Sequence, residues 1–183
     1  MMKLYIFRHG QTQANILNLC HGVTDEFGLT DKGRKQAESL ARKLKKEKLP
    51  VIFSSPLKRT KETARIVAAQ NGARIEILPG LHELDGGSIE GLHEREAIRR
   101  HKKVFDIIYN PKHPKFMTIR FPGGENMKEV IVRFHEEIEY IRRHSREEKV
   151  GVATHGSVMR IMHNYYLKKD RKFNNCEFFV LEL

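Results

Sequence analysis

Lys3 to Asn15 reads KLYIFRHGQTQAN. The run Lys3–Phe7 is apolar, β-favouring and unbroken, the pattern of a strand buried on both faces. It ends abruptly in Arg8, His9 and Gly10, then breaks into short polar residues. A strand with two buried faces needs helices on both sides, so this stretch asks for alternating strands and helices around a mainly parallel sheet.

The rest of the chain supplies that alternation. A polar loop follows to about Leu29, and Thr30 reads as the N-cap of a helix with Ala37, Leu40, Ala41 and Leu44 on its inner stripe. Pro50 opens a second strand, VIFSS. Ser55 then reads as a cap, with Pro56 at the first position of a helix that stops at Asn71-Gly72. RIEIL is a third strand, and residues 81–92 are loop-like. A helix is expected from about Glu94 to Tyr109, followed by an irregular excursion over 110–124. Met127, Val130, Ile131, Phe134, Ile138 and Ile141 mark a long amphipathic helix. KVGVATHG gives a fourth buried strand, Val158 to Tyr166 a last helix, and CEFFVLEL a closing strand. The expected fold is α/β, a three-layer α/β/α arrangement with a mainly parallel central sheet. Residues 1–183 form one domain, with a small cap at about 93–124.

Composition sets outer limits. Charged residues make up 31% and hydrophobic ones 39% of 183 residues, the balance of a globular domain. There is no apolar run long enough for a membrane helix, and MMKLYIF is too short for a signal segment, which points to the cytoplasm. Cys20 and Cys176 have neither metal nor redox spacing and read as thiols in a reducing compartment, with a single disulfide as the alternative. The formal net charge of +11 favours anionic partners. It is spread over helical faces rather than gathered in a tail. No nucleic-acid motif is present and aromatics are not interleaved with the basic runs, so a small anion rather than nucleic acid is the expected partner.

In open α/β sheets ligands bind beyond the carboxyl ends of the strands. Four exits there carry chemical residue types: Arg8 and His9 in FRHG, Arg59 in FSSPLKRT, Glu83 in LHELDGG, and His155 in ATHGS. Two arginines and helix-start N–H groups suit a dianionic phosphoryl group. A neutral imidazole can attack phosphorus, and a second, cationic one can stabilise the transferring group. A carboxyl group with a raised pKa can protonate the leaving alkoxide and later activate water. Asn15 can add a neutral donor. Asp85 and Glu90 share the loop of Glu83 and are alternative acids; Gln11 and Thr12 either line the pocket or satisfy the turn. The scheme requires no metal and no cofactor, and the ten histidines show no metal-ligand spacing.

FRHGQTQAN, SSPLKRTKETA, LHELDGGSIEG, FPGGENMKEV and VGVATHGSVMR, in this order, resemble the histidine phosphatase superfamily, also called phosphoglycerate-mutase-like. The resemblance covers essentially the whole chain and implies a phosphohistidine mechanism. By matching position it makes His9 the nucleophile and gives Arg8, Arg59, His155 and Gly156 to the phosphate pocket. Asn15 matches a phosphate contact and Glu83 the proton donor. Gln11 stands where the family often has Glu, Ile89 where an aromatic residue is common, and Gly28 where proline is usual. These differences bear on the mouth of the site. The short cap and the PGGEN segment resemble the α-ribazole and broad-specificity phosphatases, implying a phosphomonoesterase. Phosphoglycerate-mutase-type transfer and a non-catalytic phosphate-binding module are the other readings.

Overall fold

The computed structural model describes all 183 residues, Met1–Leu183. Its strands are β1 (Lys3–Arg8), β2 (Val51–Ser54), β3 (Arg74–Ile77), β4 (Lys149–Thr154) and β5 (Phe178–Glu182). They form one sheet in the order β3-β2-β4-β1-β5. The first four run parallel, and β5 closes one edge antiparallel to β1, with Lys3 opposite Glu182 and Phe7 opposite Phe178. The helices are α1 (Gln13–Ile16), α2 (Asp31–Leu44), α3 (Lys58–Asn71), α4 (Glu94–Arg100), α5 (Lys102–Ile108), α6 (Met127–His144) and α7 (Gly156–Leu167).

Pleating divides the strand residues between two cores. Leu4 and Ile6 face one way, with Phe53, Val152 and the inner stripes of α6 and α7. Tyr5 and Phe7 face the other, with Ile52, Ala153 and the inner stripes of α2 and α3. The expected three-layer α/β/α fold is what the chain adopts. None of the helices is long and apolar enough to cross a membrane.

Local differences have local causes. The loop after β1 contains the short helix α1, started by a reciprocal cap: Thr12 Oγ1 accepts from the Asn15 N–H and Asn15 Oδ1 from the Thr12 N–H. α3 begins at Lys58 rather than at Pro56, because Leu57 is extended at φ −72° and ψ 142°. Ser55 still accepts the Leu57 N–H at 3.3 Å, but its hydroxyl also serves His155. The helix expected over 94–109 is two helices separated at His101. There the backbone leaves helical angles (φ −118°, ψ 34°) while the ring packs edge-on against Phe121. A third, small cluster of Ile89, Ala97 and Phe121 holds this segment, and the Glu94 N–H donates to the Asn18 carbonyl, tying it to the loop after α1.

Candidate active site

The neighbouring parallel strands β2, β4 and β1 end at the same edge of the sheet, so Arg8-His9, Ser55–Arg59 and Thr154–Gly156 emerge together. A cavity of about 470 Å³ opens there, lined by Arg8, His9, Asn15, Arg59, Glu83 and Gly156. His155 packs beneath it, its ring centroid 5.3 Å from that of His9. Seven of the residues singled out in the sequence are therefore brought together from loci up to 148 positions apart (8 to 156).

His9 is 2% exposed, and its Nδ1 lies 2.7 Å from the Gly10 carbonyl oxygen. A carbonyl only accepts, so Nδ1 is the protonated nitrogen and Nε2 keeps its lone pair. Burial, then the Arg8 and Arg59 charges, push the ring's pKa well below the usual histidine value, so it is neutral at neutral pH. His155 is fully buried. Its Nε2 lies 2.8 Å from Ser55 Oγ and 3.1 Å from Thr60 Oγ1, while Nδ1 has no protein partner. Either hydroxyl can donate to Nε2, which leaves the ring proton on Nδ1 as a free donor. The sequence suggested a cationic second imidazole. Burial and the Arg59 charge instead hold His155 neutral as well, so it offers an N–H rather than a charge.

The arginines are fixed by backbone carbonyls and not by carboxylates. Arg59, 1% exposed, donates from Nη1 to the Thr24 carbonyl at 2.8 Å and from Nη2 to the Gly22 carbonyl at 2.6 Å. Its Nε has no partner. Arg8 donates from Nη1 to the Phe173 carbonyl at 2.7 Å, and its Nε is likewise unpartnered. Each guanidinium has five N–H donors, so both retain an unshared edge for an oxyanion. Gly156 lets Arg8 lie close against the start of α7: a Cβ there would stand 3.1 Å from Arg8 Nε. Asn15 Oδ1 accepts from the Thr12 N–H and from Asn175 Nδ2, so its own amide N–H₂ is the part left for the pocket.

Glu83 is held at the start of α7. Its carboxylate accepts the backbone N–H groups of Leu84, Ser157 and Val158 at 2.8, 3.2 and 3.2 Å. The alternative acids are occupied elsewhere. Asp85 Oδ1 accepts the Gly87 N–H, and Asp85 does not line the cavity. Glu90 accepts the N–H groups of Val23, Thr24 and Gly86 and the Thr24 hydroxyl. It thereby latches the loop whose carbonyls hold Arg59. A Cβ on Gly22, at φ +40°, would collide with that carboxylate.

Gln11 and Thr12 do not line the cavity. Gln11 Oε1 accepts from the Thr30 hydroxyl, and Thr12, fully buried, caps α1 and meets His21 Nε2 at 3.1 Å. His21 is the residue that sequence reasoning missed. It lines the cavity, stands edge-on to His9 with centroids 6.4 Å apart, and has its pKa pushed down to about 4 by burial and the arginines. It sits in a loop without periodicity, and its partner Thr12 offered no signal. No group of three or more His, Cys, Asp or Glu side chains is arranged to hold a metal ion.

A phosphoserine phosphatase 1 from Hydrogenobacter thermophilus is 31% identical over 163 residues, spanning 89% of this chain and 75% of its own. A probable phosphoglycerate mutase from Cronobacter sakazakii is 36% identical over 141 residues, spanning 74% of this chain and 60% of its own. A mycobacterial glucosyl-3-phosphoglycerate phosphatase solved with vanadate superposes with a TM-score of 0.88 at 23% identity, over 100% of this chain and 93% of that one, a likeness of fold. The family model for the histidine phosphatase superfamily, branch 1, matches residues 4–182. With two neutral imidazoles between two carbonyl-anchored arginines at one sheet edge, and that match over nearly the whole length, the chain belongs to the histidine phosphatase superfamily.

Proposed function

We propose that the protein is a phosphomonoesterase that hydrolyses a small phosphorylated substrate through a covalent phosphohistidine on His9. The observation that carries this reading is the neutral His9 ring: Nδ1–H is committed to Gly10, and Nε2 carries a lone pair between two arginines. Arg8, Arg59, Asn15 and the His155 N–H would hold the phosphoryl oxygens. Nε2 attacks phosphorus, the ester P–O bond breaks, and Glu83 in its acid form gives its proton to the departing oxygen. Water then attacks phosphorus while Glu83 takes its proton, and the P–N bond breaks, releasing phosphate and returning the lone pair to Nε2. Charge that grows on the imidazole is met by the Gly10 carbonyl.

Residues 93–124 act in this reading as a small cap on the single domain, reaching the cavity through Glu94. The free thiols Cys20 and Cys176 support a cytoplasmic setting. The likeness to a probable phosphoglycerate mutase supports a second reading, phosphoryl transfer between positions of one substrate. A short cap leaves water access to the phosphoenzyme and favours hydrolysis. Mixing the protein with p-nitrophenyl phosphate at pH 5 to 8 tests the reading: nitrophenol and phosphate are expected in equal amounts. Folded protein without turnover would leave a phosphate-binding module, and conversion of 3-phosphoglycerate to 2-phosphoglycerate dependent on a bisphosphorylated primer would establish the mutase.

A further inference from the structure

The mechanism asks Glu83 to reach the departing oxygen, yet no strand aims it: β3 ends at Ile77, six residues earlier. The intervening loop is tied instead to α6, an element that the mechanism leaves unused. Arg133 on α6, its side chain 14% exposed, spends all five of its N–H donors there. Nη1 donates to the Gly80 and His82 carbonyls at 2.5 and 2.9 Å, and Nη2 to the Glu83 carbonyl at 3.1 Å. Nε and Nη2 also donate to the two oxygens of Glu125, at 2.8 and 3.0 Å. Glu125 in turn accepts the Asp85 N–H at 3.0 Å and donates its own N–H to the Asp85 carbonyl at 2.9 Å. Two further bonds complete the hold. Glu137 accepts the Gly80 N–H at 2.6 Å, and the Thr154 hydroxyl donates to the Leu81 carbonyl at 2.8 Å. Neither Arg133 nor Glu125 lines the cavity.

Resting on the reading of Glu83 as the acid of a phosphomonoesterase, we propose that Arg133 is a positioning residue that sets the Glu83 carboxyl for proton transfer. It fixes the main chain of the acid from behind, while α7 fixes the side chain from the front through the Ser157 and Val158 N–H groups. Carbonyls on both sides of the His82–Glu83 peptide converge on one planar guanidinium, so the loop cannot turn about that peptide without breaking bonds on one side. Glu125 serves the same end. Burial works against its charge, but the bonds from Arg133 and from the Asp85 N–H outweigh it and hold its pKa below the usual carboxylate value. A mostly buried ion pair gives little net stability compared with a well-packed apolar pair. What this one provides is geometry.

Removing Arg133 alone would leave the Glu125 carboxylate without its partner, so the test variant is Arg133→Met/Glu125→Gln, which removes both charges and keeps an acceptor for the Asp85 N–H. It is compared with the wild type by kcat/KM for glycerol 3-phosphate, whose alkoxide needs a proton, and for p-nitrophenyl phosphate, whose phenolate does not. A loss of about 100-fold is expected on glycerol 3-phosphate, the cost of misplacing a reacting group by about 1 Å. Turnover of p-nitrophenyl phosphate and inhibition by inorganic phosphate should change by less than about threefold. In a Glu83→Gln background the same pair of substitutions should add less than about threefold, because the acid to be aimed is already gone. Equal losses on the two esters, or full additivity with Glu83→Gln, overturn the role. If the double variant does not fold, Arg133→Lys takes its place, with three donors instead of five. A loss of about tenfold confined to glycerol 3-phosphate is then expected, and an equal loss on both esters overturns the role. The wild type separates the failures. Turnover of p-nitrophenyl phosphate alone means there is no acid to position, and only the role of Arg133 falls; folded protein that hydrolyses neither ester brings down the phosphomonoesterase reading and Arg133 with it.

Discussion

Replacing Glu90 with Gln isolates a residue that acts on phosphate only through Arg59. In the native site Oε1 accepts the Val23 and Gly86 N–H groups at 2.8 and 2.9 Å, and Oε2 accepts the Thr24 N–H and hydroxyl at 3.0 and 2.6 Å. Glutamine keeps the shape and one oxygen, but turns an N–H₂ toward two donors. The Thr24 hydroxyl can rotate; the backbone N–H facing the amide cannot. Leaving one such group unpaired costs about 1–3 kcal/mol. Because the Gly22 and Thr24 carbonyls are the anchors of Arg59, most of that cost should appear as a loosened guanidinium. Taking about 2 kcal/mol, KM for p-nitrophenyl phosphate and the inhibition constant for inorganic phosphate should each rise roughly 30-fold. In an Arg59→Ala background the same substitution should add little, since the anchor then holds nothing. Unchanged phosphate inhibition in Glu90→Gln, or full additivity with Arg59→Ala, would refute the latch.

Other expectations follow from the same geometry. Glu83→Gln should slow hydrolysis of alkyl phosphates far more than that of p-nitrophenyl phosphate, whose leaving group needs little protonation; equal losses would move the acid role elsewhere. His9, His21 and His155 all bind protons less readily than in the unfolded chain. As pH falls through about 6.5 the unfolded state therefore gains protons first, and stability present above that pH is lost below it. The slope is up to about 1.4 kcal/mol per pH unit for each ring, and denaturant titrations between pH 7 and 5 should show it. A flat stability profile over that range would contradict the neutral assignment. The acid limb of kcat/KM should correspondingly lie below pH 6.5, because His9 keeps its lone pair there.

Much of this site was legible in the sequence because its parts are local signals. Unbroken apolar runs predicted the strands β1, β2 and β4 as buried on both faces, and His9 follows β1 and His155 follows β4 directly. Helix periodicity placed α2 and α6 with their inner stripes as found, whereas α7 buries Met159 and His163 beside Val158 and Met162 and leaves Tyr165 exposed. What was not legible depends on contacts across the chain. Glu90 reaches Val23 across 67 positions and Arg8 reaches Phe173 across 165, and neither pairing leaves a pattern in nearby residues. His21 sits in a loop, where no period says which way a side chain faces. The break at His101 falls where its ring packs edge-on against Phe121, a tertiary contact that helix propensity does not see. The charge of His155 was misjudged for the same reason, since its neutrality comes from full burial beside Arg59.

The central claim is that phosphorus passes through His9. Protein quenched in alkali during turnover of a ³²P-labelled phosphomonoester, then digested and sequenced by mass spectrometry, tests it directly. The account predicts an acid-labile, alkali-stable phosphoryl group on His9, absent from His9→Ala, which should also lack turnover. Label on any other residue, or hydrolysis that persists in His9→Ala, would contradict it.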